Sequence, residues 1–180
     1  MAAAEKLEPE IGEQEAPDRR EPLDPTTLVD HQGRLFRAAY ALCGSRQDAE
    51  DLVQTTYEQV LRRPRLIRRG HDLAYLLRVL RHAWSAQARS AGAKRSVPVA
   101  PEDLEWASDD RGRPEAALDA RLAYAAIAEL SEPLRHTIVA VDIVGLSYRD
   151  AARSLRTRTG TVMSRLYRAR EQVAAALEAT

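Results

Sequence analysis

Six arginines and no acid lie between Arg153 and Arg170, and this run has residue types that could do chemistry. Arg158, Thr161, Arg165, Arg168 and Gln172 recur at helical spacing, so they share one face of a helix. Guanidinium groups on such a face can neutralise phosphates and reach the acceptor edge of guanine in a major groove. The opposite face carries Val162, Leu166, Ala169, Val173 and Leu177, a stripe that must pack on a core. Taken alone, the charge pattern fits a solvated face, a partner surface or a membrane surface as well as DNA. The residues before it favour DNA. Gly145 ends one helix, Ser147 with Asp150 caps a short helix that stops near Leu155, and Thr157 is the expected N-cap of the long one. A short capped helix, a tight turn and a long basic helix make a helix-turn-helix.

A second basic cluster lies upstream, where Arg62, Arg63, Arg65, Arg68 and Arg69 crowd a loop that Pro64 opens. Their mutual repulsion is relieved by an anionic partner, so Arg65 and Arg68 are candidate phosphate contacts. The next helix is expected from about Leu73 to Arg89, with Asp72 as its cap. Leu73, Leu76, Leu77, Leu80 and Trp84 face its core, and Tyr75, Arg78, His82, Ser85 and Arg89 face out. Rings interleaved with cations suit single-stranded DNA, since bases can stack while arginine meets phosphate. The helix before the loop, about Gln47 to Arg62, buries Ala49, Leu52, Val53, Tyr57 and Val60. It turns Asp48, Asp51, Gln54, Thr55 and Glu58 outward. That acidic face is either solvated, with its early acids favoured by the helix dipole, or a surface for a basic partner.

No nucleophile–base pair, metal-ligand cluster or glycine-rich phosphate loop is visible, which argues against an enzyme and against a metal or other cofactor. Cys43 is the only cysteine, so an intrachain disulfide is excluded. The start of the chain has glutamates where a signal peptide needs an apolar run, and no apolar stretch spans a bilayer, so the expected compartment is the cytoplasm.

Alanine, leucine, arginine and glutamate dominate and alternating β-branched runs are missing, so the fold class is all-α. The formal net charge of the 180 residues is +0, but it is unevenly spread. Residues 1–25 hold eight acids against three basic residues, residues 61–95 ten basic residues against one acid, and residues 102–119 seven acids against two. Residues 1–25 read as a disordered acidic tail, a solubilising extension or a screen for the basic surfaces. Residues 92–113 lose periodicity and read as a flexible acidic linker. Two small helical domains remain, at 26–91 and 114–180. In the second, Ala117, Leu118, Leu122, Ala125, Ala126 and Leu130 are expected to face the core, and Ser131-Glu132-Pro133 opens the helix that ends at Gly145.

Gly145-Leu146-Ser147-Tyr148, Ala151-Ala152, Gly160-Thr161-Val162 and Ser164 to Arg170 resemble region 4 of bacterial extracytoplasmic-function (ECF) sigma factors. Asp48 to Gln54, about a hundred residues upstream, resembles the region 2 motif of the same family. The resemblance runs from about Leu28 to Leu177. It implies an alternative sigma factor that binds core RNA polymerase, recognises promoters and helps melt them. It implies core-polymerase contacts at Asp51, Gln54 and Glu58 within the face that also holds Asp48 and Thr55. It implies contacts with a melted minus-ten element at Arg65, Arg68, Tyr75, Arg78, His82 and Arg89. Duplex minus-35 contacts are implied at Arg158, Thr159, Thr161, Ser164, Arg165 and Arg168, and control by an anti-sigma factor is implied as well. The chain departs from the family's usual pattern at His82, Arg156 and Met163. The competing reading is a stand-alone dimeric helix-turn-helix regulator, which leaves the Asp48 to Glu58 face without a role.

Overall fold

The computed structural model describes residues 20–90 and 114–179. Helix α1 (Thr27–Cys43) starts after a turn in which the Asp24 carboxylate accepts from the Thr26 N–H at 2.8 Å, and the Asp24 carboxyl sits below its usual range because of that bond. It ends at Gly44, whose φ of 72° only glycine adopts without strain. Ser45 then caps α2 (Arg46–Arg62), its hydroxyl accepting from the Asp48 N–H. Helix α3 (Asp72–Ser90) follows a nine-residue connection. Asp72 is its first helical residue and not, as expected, its cap.

Leu35, Leu52, Leu76 and Leu80 are fully buried where these three helices meet, and Trp84 lies on the same stripe. Val53 and Val60 join them, while Tyr57 reaches across to donate to the Leu28 carbonyl at 2.9 Å. The all-α expectation holds with one addition. Residues 20–25 are ordered rather than part of a disordered tail: Arg20–Pro22 forms strand β1, which pairs antiparallel with β2 (Leu66–Arg68) in the α2–α3 connection. Residues 1–19 and the expected linker at 92–113 lie outside the described residues.

The second half contains α4 (Pro114–Glu129), α5 (Glu132–Ile138), α6 (Tyr148–Leu155) and α7 (Thr159–Glu178). Arg135 fastens the end of α4 by donating to the carbonyls of Ala128 and Leu130. Helix α5 runs into a π-helical turn, Val139–Ile143, in which the Val144 N–H reaches the Val139 carbonyl at 2.9 Å. Gly145, at φ 80°, closes it. On α4 the expected core face is rotated. Leu118 is exposed, Ala125 is exposed, and Tyr124 and Ile127 are buried instead. Burying an aromatic ring against another ring outweighs burying Leu118, and Tyr124 meets Tyr40 of α1 edge-to-face with centroids 5.3 Å apart.

His136 on α5 is buried, and its Nε2 has no hydrogen-bond partner among the described residues. Burial, assisted by the guanidinium groups of Arg81 and Arg135, pushes its pKa down to about 4. The imidazole is therefore neutral in the fold, and its 3.8 Å approach to Glu132 is not an ion pair at neutral pH. Because the unfolded chain protonates this residue near its ordinary value, stability is fully present above about pH 6.5. It is lost as pH falls from there through about 4. Urea unfolding should show the protein about 2–3 kcal/mol less stable at pH 4.5 than at pH 7 from this group, and His136→Leu should remove that share of the slope. An unchanged slope in the variant would assign acid sensitivity to carboxylates elsewhere.

Candidate nucleic-acid interface

Where α2 ends and α3 begins, the side chains of Gln59, Arg62, Arg63, Arg65, Tyr75, Arg78, Val79 and His82 line an open cavity of about 460 Å³. Pro64 breaks α2, and Gly70, at φ 78°, turns the chain back into α3. Four arginines and Tyr75 thus line one cavity. Burial and the guanidinium groups of Arg81, Arg156, Arg78 and Arg89 lower the pKa of His82. The cavity offers donors and one aromatic face, the chemistry that stacks a base and grips its backbone.

Four of the six residues expected to meet a melted strand, Arg65, Tyr75, Arg78 and His82, come together here. Arg68 does not: it lines a neighbouring groove of about 170 Å³ with Ile67, His71, Tyr75 and Arg78. Arg89 lies on α3 beyond both, exposed. Sequence reasoning missed Gln59 and Val79 and left Arg62 and Arg63 out of the site. Gln59 and Arg62 follow Thr55 at helical steps, which was the available signal.

In the second half, Ser147 caps α6 as expected. Its hydroxyl accepts from the Asp150 N–H at 3.1 Å and donates to the Asp150 carboxylate at 2.7 Å. Arg156 takes the left-handed conformation, φ 53° and ψ 48°, a strain of roughly 1–2 kcal/mol for a residue with a Cβ. The turn therefore extends one residue further than expected. Arg158, not Thr157, occupies the N-cap of α7, and the Thr157 N–H is used to bond the Ala152 carbonyl.

Val162, Leu166 and Ala169 of α7 are buried and Val173 is half-buried, whereas Leu177, expected on the same stripe, is exposed. Arg158, Thr159, Ser164 and Arg168 are exposed, and Thr161 and Arg165 half-buried, on the first turns of α7. Arg170 has another job. It makes two bonds to Asp142, at 2.9 and 2.7 Å, and fastens α7 to the π-helical turn.

On α2, Asp51, Gln54 and Glu58 are exposed, while Asp48 and Thr55 are half-buried. Glu58 accepts from Gln54 at 3.4 Å and from Arg62 at 3.2 Å. Asp51 has no ion-pair partner among the described residues.

The two halves touch. Helix α6 packs on α3, and α4 and the π-helical turn pack on α1. Arg81 of α3 donates to the Ser154 carbonyl at 3.3 Å. Arg153 can only donate, so at 3.1 Å from His71 Nε2 it makes that nitrogen an acceptor and puts the ring proton on Nδ1. Nδ1 lies 3.0 Å from the Asp150 carboxylate but off the hydrogen-bond direction. Asp150, Arg153 and Ser154 of α6 thereby form one wall of the groove that holds Tyr75 and Arg78.

Residues 28–94 match the family model described as Sigma-70 region 2, and residues 120–173 that described as Sigma-70, region 4. An ECF RNA polymerase sigma factor, SigE of Mycolicibacterium smegmatis, is 34% identical over 147 residues, covering 79% of this chain. The chain spans 57% of that relative's length. EcfG of Rhodopseudomonas palustris, another ECF RNA polymerase sigma factor, is 32% identical over 142 residues, covering 77% of this chain and 76% of its own. Among solved structures, sigma factor RpoE in complex with the anti-sigma factor NepR from Bartonella quintana superposes with a TM-score of 0.65 at 25% identity, covering 85% of this chain and 95% of that one.

Proposed function

The chain belongs to the ECF family of RNA polymerase sigma factors, and on that premise we propose how its surfaces divide the work of directing polymerase to promoters. The observation that carries the reading is one chain with an arginine- and tyrosine-lined groove on α2–α3 followed by a helix-turn-helix whose second helix presents a basic face. Residues 26–91 serve as region 2, residues 92–113 as linker and residues 114–180 as region 4. The outward face of α2, at Asp48, Asp51, Gln54, Thr55 and Glu58, meets core polymerase. Arg65, Arg68, Tyr75, Arg78, His82 and Arg89 hold the melted minus-ten strand. Arg158, Thr159, Thr161, Ser164, Arg165 and Arg168 meet the duplex minus-35 element.

Sigma factors are non-catalytic initiation factors, and this chain fits that description: holding an unstacked base in the groove offsets the few kcal/mol of unstacking and shifts the promoter toward its open state. No enzyme activity of its own is needed. No helix among the described residues is long and apolar enough to cross a membrane, and the proposed compartment is the cytoplasm. The B. quintana relative's complex supports an anti-sigma factor as a further partner. No match or relative favours a stand-alone dimeric regulator.

Added to bacterial core polymerase, the purified chain should direct initiation at promoters that core alone ignores. A folded chain that leaves core unchanged overturns the reading. Within it, Arg165→Ala should weaken binding to the selected minus-35 duplex by about 1–3 kcal/mol. An equal loss on scrambled duplex would make Arg165 a phosphate contact instead.

A further inference from the structure

We infer that the N-terminal strand β1 is a positioning element for the arginine loop, and so for recognition of the melted strand; this rests on the sigma-factor reading above. The loop between α2 and α3 is short of structure of its own. It has nine residues, 63–71, with arginine at 63, 65, 68 and 69, and β2 is only three residues long. A strand of that length beside a helix end, rich in like charge, has little to hold it in one place, and even a two-stranded ribbon alone is marginal in water.

Besides its contact with α3, what holds it is β1. Arg20 pairs with Arg68, Glu21 with Ile67 and Pro22 with Leu66. Pro22 lacks an N–H and ends the ladder on that side. Immediately after it, Leu23 packs against the core and Asp24 accepts from Thr26 at the start of α1. The loop is thereby tied to the first helix of the domain through a strand anchored at its own C-terminal end.

The position of β2 explains why this matters for the groove. Arg65, just before β2, lines the larger cavity with Arg62, Arg63, Tyr75, Arg78 and His82. Ile67 and Arg68, within β2, line the smaller groove. Tyr75 and Arg78 belong to both and so stand between them, with Arg65 before β2 on one side and Ile67 and Arg68 of β2 on the other, and a shift of β2 moves these arginines relative to the aromatic ring. β1 contributes no residue to either cavity. Its effect is to keep Arg65 on one side and Arg68 on the other, so that the loop need not be ordered at the moment the strand binds.

The test uses holoenzyme made from the full chain and core polymerase, presented with premelted templates whose non-template strand is randomised. The variant carries Arg20→Gly, Glu21→Gly and Pro22→Gly together. A control keeps β1 and replaces Glu5, Glu8, Glu10, Glu13 and Glu15 with Gln and Asp18 with Asn. Wild type and control should enrich the same sequence, and the glycine variant should lose roughly tenfold in its preference for that sequence over the unselected pool, a shift of about 1.4 kcal/mol. Core affinity, duplex minus-35 binding and melting temperature should stay unchanged, and amide exchange over residues 66–68 should rise in the variant.

Equal enrichment by the glycine variant overturns the inference while leaving the sigma-factor reading intact. A loss of the same size in the control also overturns it, since the charge of residues 5–18 rather than the strand would then be responsible. A wild-type chain that neither binds core nor enriches any sequence overturns the sigma-factor reading and this inference with it.

Discussion

Asp51→Arg should abolish co-purification with core RNA polymerase while leaving the fold intact. Of the acids on the outward face of α2, Glu58 is already engaged with Gln54 and Arg62, and Glu50 with Arg46 at 3.0 Å. Asp48 is half-buried at the capped first turn. Asp51 is exposed and has no ion-pair partner among the described residues, so it is the carboxylate most available to a basic partner. Reversing its sign removes an attraction and adds a repulsion inside the interface. Losing one member of a desolvated charge pair costs about 2–5 kcal/mol, roughly a thirtyfold to several-thousandfold loss of affinity. Melting should stay within about 0.5 kcal/mol, since an exposed helix position supports no packing. Glu50→Arg, on the same helix but committed to Arg46, should lose far less. Undiminished binding by Asp51→Arg would remove α2 from the polymerase contact, whatever the rest of the chain does.

Elements with a strong local signal were legible in the sequence. The leucine stripe of α3, the glycine stop at Gly145 and the Ser147–Asp150 cap are each fixed by residues within a turn or two, and they appear where local chemistry puts them. The cavity residues Arg65, Tyr75, Arg78 and His82 were legible for the same reason, since helical spacing and a proline-broken loop bring them to one side.

What was not legible depends on partners distant in sequence. Alanine fills so much of α4 that its apolar faces are nearly equivalent, and the choice of Tyr124 over Leu118 is made by Tyr40, more than eighty residues earlier. β1 has charged residues and a proline, and only the loop some forty-five residues downstream gives it a strand's hydrogen bonds. The one-residue shift at the start of α7 follows from Arg156 adopting a conformation that its side chain disfavours, stabilised by the Arg156 N–H to Arg153 and the Thr157 N–H to Ala152. The π-helical turn lies in a run from Ile138 to Val144 that is apolar at every position but Asp142, so periodicity could not reveal it.

Tyr124→Ala should destabilise the protein by about 3–5 kcal/mol, lowering its melting temperature by roughly 6–20 °C, and should let the two halves part. The ring is buried at the seam between α4 and α1, and burial pushes its hydroxyl up to about 12, so it stays un-ionised at any pH of interest. Its removal leaves a cavity beside Tyr40 and deletes the edge-to-face contact that joins the halves. Of the other links, Arg81 to the Ser154 carbonyl and the His71, Asp150 and Arg153 cluster are partly exposed polar contacts, each weaker than the lost packing, while α6 still lies on α3 and the π-helical turn on α1. The seam bears on function because elements one and a half turns of duplex apart are separated by about 50 Å, whereas here α6 lies directly on α3 and walls the groove of Tyr75 and Arg78. A chain that engages both elements must give up this contact. Small-angle scattering should show a larger radius of gyration for Tyr124→Ala at temperatures where circular dichroism still reports native helix. Its affinity for a single-stranded oligonucleotide should rise as the groove is uncovered. Tyr124→Phe keeps the ring and should behave as wild type. A variant that melts early but stays as compact as the wild type would show that the contacts left without Tyr124 suffice to hold the halves together.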